Sequence, residues 1–118
     1  MSSNSPVSWP TIGVVTLRRQ YVVERNADVY RVRSSTPRQA EFAQLVEGPV
    51  VRHLAKALEG QTVTVEDAEK ELRQSSLKLP YQYGYKLHFF AQNALVVLVA
   101  SGQASRTKVG QRFEYHIA

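Results

Sequence analysis

The spacing of apolar side chains changes from strand-like to helical near residue 36 of this 118-residue chain, and that change limits what the chain can become. From Ile12 to Arg33 it is rich in β-branched and aromatic residues, among them Val14, Val15, Tyr21, Val22, Val23, Val29, Tyr30 and Val32. Such residues suit a pleated, half-buried surface, and Asn26-Ala27-Asp28 between them has turn chemistry. A hairpin is predicted across residues 20–24 and 29–33, with another extended segment before it. On its second strand Tyr30 and Val32 share one face, while Val29, Arg31 and Arg33 share the other, which is therefore partly basic.

Thr36-Pro37 then reads as an N-cap with proline at the first helical position. Phe42, Leu45 and Val46 follow at helical spacing until Gly48-Pro49 interrupts them, ending a short helix or kinking a longer one. A run from Pro49 places Val50, Val51, Leu54 and Leu58 on one stripe, and Gly60 stops it. After a short extended link at 61–64, Thr64-Val65-Glu66-Asp67 reads as a capping-box variant. It opens a helix with Val65, Ala68 and Leu72 inside and acids in the first turn, where the helix dipole favours them. Tyr83, Leu87 and Phe90 predict a third helix from Gln82 or Gly84 to Gln92, with Asn93 as its left-handed cap. Residues 95–100 read as a strand and 101–110 as a polar, basic loop. Phe113, Tyr115 and Ile117 alternate with Arg112, Glu114 and His116 as a half-exposed strand.

An apolar content of 43% with 21% charged residues fits a globular domain, not a disordered chain or a membrane span. The absence of cysteine excludes disulfides, thiolate catalysis and cysteine-ligated zinc, and it fits a reducing, cytoplasmic setting. Residues 1–10 read as a frayed tail that becomes ordered near Trp9, not as a signal peptide. Residues 11–35 would form the hairpin arm and 36–118 the main domain. His53, His88 and His116 are scattered without carboxylates at ligand spacing, and there is no glycine-rich phosphate loop or nucleophile elbow. The expectation is a binding protein, not an enzyme, with neither cofactor nor metal.

The net charge of +5 is unevenly spread. Residues 1–38 carry six arginines against Glu24 and Asp28, a net +4. Residues 39–71 carry three cations against seven acids, a net −4. Residues 72–118 carry six cations against Glu114 alone, a net +5. Basic ends around an acidic middle favour a polyanionic partner, nucleic acid first.

From Pro37 onward the expected order is helix, short strand, helix, turn, helix, strand, basic loop, strand. With Thr62-Val-Thr-Val-Glu-Asp-Ala68 entering the second helix, and Ser101-Gly-Gln-Ala-Ser-Arg-Thr-Lys-Val-Gly110 as a wing, this resembles the winged helix-turn-helix superfamily. The fold implied is α+β, a winged helix with a three-helix core and a C-terminal β-wing, preceded by the N-terminal hairpin. The resemblance also implies a third helix in the major groove and a wing on the backbone. Gln82, Tyr85, Lys86 and Gln92 would then face the groove. Ser105, Arg106, Thr107 and Lys108 would meet phosphates from the wing, and Arg73 and Lys78 would hold the neighbouring backbone. Arg31 and Arg33 either grip phosphates or guard an exposed strand edge.

Three functions follow as expectations. The first is a duplex-DNA binder, homodimeric, acting as a transcriptional regulator or a DNA-processing accessory factor. The second is a protein-interaction adaptor or scaffold that buries the aromatics of the third helix. The third is a single-strand or RNA binder using the basic hairpin and Tyr81, Tyr83, Tyr85, Phe89 and Phe90 as a stacking platform; the competing reading of those rings is core and rim packing.

Overall fold

The computed structural model describes residues 8–36, 39–81 and 84–118. Strands β1 (Thr11–Thr16), β2 (Gln20–Asn26), β3 (Val29–Thr36) and β4 (Gln39–Glu47) form an antiparallel sheet in sequence order. Cross-strand pairs Val15–Tyr21, Val23–Val32 and Tyr30–Val46 place their side chains on its inner, buried face. Glu24, Arg31 and Leu45 lie in register on the outer face. Residues 8–10 are tied to β2, where Asn26 Nδ2 donates to the Ser8 carbonyl at 2.7 Å and Arg25 N to that of Pro10 at 3.0 Å.

Helix α1 (Gly48–Ala57) starts with Pro49 in its first turn, where a missing N–H costs no hydrogen bond. The Gly48 amide donates to the Asp28 carbonyl, joining α1 to the β2–β3 turn. Strand β5 (Thr62–Val63) leads into α2 (Val65–Gln74). The α2 capping box is complete: Thr64 Oγ1 accepts from the Asp67 amide, and the Asp67 carboxylate accepts from the Thr64 amide.

Helix α3 (Gly84–Ala100) is the centre of the molecule. It begins at Gly84 with φ of +84°, a left-handed conformation that explains the glycine. Its second half is apolar on all sides, and Ala94, Leu95, Val96, Val97 and Leu98 are buried, as expected of a helix covered all round. It packs against α1, α2 and all four strands of the first sheet. At Gly13 of β1 a side chain would meet both the Cβ and the carbonyl oxygen of Ala100 at 3.0 Å, so this strand approaches α3 closely because it lacks a Cβ there. Strands β6 (Ala104–Val109) and β7 (Arg112–Ile117) form a hairpin, and β5 joins it in the order β5-β7-β6.

The chain is α+β, but the winged-helix architecture expected for it is corrected. A four-stranded N-terminal sheet that supplies Val15, Val23, Val32 and Val46 to the core replaces the hairpin arm and covers the helices. The predicted helix over Phe42, Leu45 and Val46 is strand β4. Phe42 and Val46 share a face at either period, so only Leu45 separates the two readings, and it points outward and is exposed. Asn93 is not a cap, and residues 95–100 are not a strand; both belong to α3, because the burial of residues 95–98 outweighs the β-preference of the valines. The loop expected at 101–110 is mostly strand β6. Residues 1–7 of the expected tail, Pro37 of the expected N-cap, and Gln82 and Tyr83 lie outside the described residues.

Candidate nucleic-acid interface

Two hairpin turns come together although they stand more than 90 residues apart in the chain. The β1–β2 turn is Leu17-Arg18-Arg19, and the β6–β7 hairpin carries Arg106, Lys108 and Arg112. Arg106 Nε donates to the Thr16 carbonyl at 2.7 Å, and Arg18 Nη2 donates to the Gln111 carbonyl. Both acceptors are neutral carbonyls, so these bonds fix the guanidinium groups without cancelling their charge. Glu114, opposite Thr107, is the single carboxylate of the β6–β7 hairpin, and the β1–β2 turn has none. The result is a patch of five cations.

Arg18, Arg19 and Arg112 of this patch line a cleft of about 1090 Å³ between the inner face of the first sheet and the α2–α3–β7 side of the molecule. Phe42, Tyr85 and Phe89 line the same cleft and are 57%, 70% and 54% exposed. Tyr85 and Phe89 are one turn apart on α3 and meet edge to face, with centroids 6.5 Å apart. Amides lie in the cleft as well. Gln92 Nε2 donates to the Tyr21 hydroxyl at 3.2 Å, and Asn93 Nδ2 donates to Gln44 Oε1. Burial raises the Tyr21 hydroxyl above its usual value, against the opposing pull of Arg19 and the Gln92 hydrogen bond. Burial pushes Tyr115 up to about 12. Both phenols therefore stay neutral at physiological pH.

Glu66 and Asp67, at the start of α2, line the same cleft. His88 faces Glu69 at 3.3 Å and Glu66 at 3.7 Å, and His53 faces Glu71 at 2.9 Å. These pairs join neighbouring helices, a proximity invisible to a scan for ligand spacing. Among the described residues no group of three or more such side chains is placed to hold a metal ion. Nor is any helix among them long and apolar enough to cross a membrane.

The residues singled out from sequence thus fall into separate places. Tyr85 and Gln92 line the cleft, and Arg106 and Lys108 lie in the cation patch with Ser105 and Thr107 beside them on the exposed strand β6. Lys86 instead sits over the Tyr81 ring at 5.8 Å, and Arg73 is paired with Glu69 at 2.7 Å. Lys78 lines a separate small hollow with Leu45 and Leu79. Arg31 and Arg33 both donate to Glu24 Oε1, at 2.7 and 2.9 Å, on the outer face of the sheet, and Arg31 also lies 4.6 Å from the Trp9 ring. Gln82 lies outside the described residues. Sequence reasoning missed Arg18, Arg19, Arg112 and Phe42 as site residues. The signal for the first two was a pair of adjacent arginines at a strand end; Phe42 was hidden by its assignment to a helix.

Comparison of the chain with protein families, with curated proteins and with solved structures finds no match.

Proposed function

We propose that this chain is a nucleic-acid-binding domain that captures the phosphate backbone with its two basic turns and performs no catalysis. The observation that carries the proposal is the cation patch: Arg18, Arg19, Arg106, Lys108 and Arg112 gathered from both ends of the chain, with Arg18 and Arg106 held by neutral backbone carbonyls. Charges neutralised within the protein, such as those of Arg31 and Arg73, contribute little to a polyanion; charges left uncompensated attract it and release its counterions. All five cations belong to one chain, so the patch is complete without a homodimer. The four strands packed over α3 favour contact at the cleft over insertion of that helix into a major groove.

Fluorescence anisotropy with random-sequence DNA, double- and single-stranded, at about 50 and 200 mM salt tests this. Affinity should fall by orders of magnitude across that range. Lys108→Ala combined with Arg112→Ala should weaken binding at every sequence and reduce the salt slope by about 2. An unchanged slope in the double variant, or no binding by the parent at micromolar protein and low salt, overturns the proposal and turns attention to a protein partner for the exposed aromatics.

A further inference from the structure

We infer that the cleft takes an unpaired strand, DNA or RNA, with its phosphates on the cation patch and its bases on the aromatic wall. This rests on the nucleic-acid reading above and narrows it to a substrate class. Three features point to a single strand.

The first is the placement of the rings. Aromatic side chains in a protein this size are normally buried, as Phe90 and Tyr115 are here. Tyr85, Phe89 and Phe42 are instead more than half exposed, and all three line the cleft that Arg18, Arg19 and Arg112 also line. A duplex keeps its base faces stacked against one another and offers these rings nothing. An unpaired strand offers a π-face at every nucleotide, and stacking each base on an aromatic ring is strongly favourable whatever its sequence.

The second is shape. Cations and α3 side chains line the same concavity, so α3 does not protrude. A major groove is read by an element that projects into it. A concave, cationic and aromatic surface suits a chain that lies in it.

The third is a pair of side-chain amides in the same cleft, those of Gln92 and Asn93. Those amides supply donors and acceptors for base edges, which phosphate contacts alone do not read.

The test compares a thymidine 15-mer, a uridine 15-mer and a 15-base-pair duplex against the parent, Tyr85→Ala, Phe89→Ala and the Lys108→Ala/Arg112→Ala variant. The parent should bind one or both unpaired strands more tightly than duplex. Each aromatic truncation should cost about tenfold or more with the strands and leave duplex affinity and the salt slope unchanged. Tyr85→Phe, which keeps the ring, should restore strand binding. Because both rings are exposed, the variants should retain the parent's circular dichroism and melting curve. Duplex binding as tight as strand binding, or strand affinity indifferent to both truncations, overturns the inference while the cation patch still stands. Salt-independent or absent binding in the parent overturns the functional reading itself.

Discussion

Glu24 is a carboxylate buried on the outer face of a sheet, and it is tolerable there because Arg31 and Arg33 both donate to one of its oxygens. The Arg31 hydrogen bond is the main reason its carboxyl titrates below the ordinary glutamate value of 4.5; Arg33 adds to this, and burial opposes it. Alternation along the strand was enough to place Arg31 and Arg33 on one face. It could not show that residue 24 of the next strand lies opposite Arg31, because register depends on the turn and on which face is buried. A folded-state value below the unfolded one means that the pair's contribution is complete above about pH 4.5 and disappears as pH falls through the folded value. Glu24→Gln should therefore cost about 1–3 kcal/mol near neutrality, where it weakens two charge-assisted bonds. The difference from the parent should narrow in acid. Urea unfolding of both proteins at about pH 7 and about pH 3.5 measures this; a gap that widens in acid would show that Glu24 contributes as a neutral hydrogen-bonding group.

At the scale of elements, what was legible depended on whether local chemistry or distant packing decided the outcome. The start of α2 is decided locally. Thr64 and Asp67 satisfy each other's amides within four residues, and the sequence spacing alone predicts this. Strand β4 and the second half of α3 are decided by packing. The apolar residues of β4 fit two periods until the sheet beside it fixes one, and the valines of α3 became helical only because a sheet, two helices and a hairpin surround them. The cap is therefore the right place for an element-level test. Thr64→Ala should destabilise the protein by about 1 kcal/mol, seen in calorimetry as a melting temperature lower by a few degrees. Thr64→Ser, which keeps the hydroxyl, should recover most of the loss. A Thr64→Ala protein as stable as its parent would mean that packing of Ala68 and Leu72 holds α2 without its cap.

Over the whole molecule, the sequence showed two basic ends and an acidic middle, but not that the ends meet. Two side-chain bonds spanning 90 and 93 residues join them, and Glu66 and Asp67 of the acidic segment line the same cleft. Two basic surfaces nevertheless exist: the patch at the cleft, and the outer sheet face with Arg31 and Arg33. The single tryptophan tells them apart. Trp9 stacks on the Arg31 guanidinium, on the face of the sheet turned away from the cleft. A phosphate that used Arg31 would have to compete with that contact and with Glu24, and would change the surroundings of the indole. A strand in the cleft touches neither group. Saturating the protein with a thymidine 15-mer at low salt, with selective excitation of tryptophan, should leave the position and intensity of its emission unchanged while anisotropy of the labelled strand reports full binding. A shift in Trp9 emission that follows the binding curve, and vanishes in Arg31→Ala together with the binding, would move the interface to the outer face. Arg31 and Arg33 would then be shared between Glu24 and phosphate, and the cleft would need a different occupant.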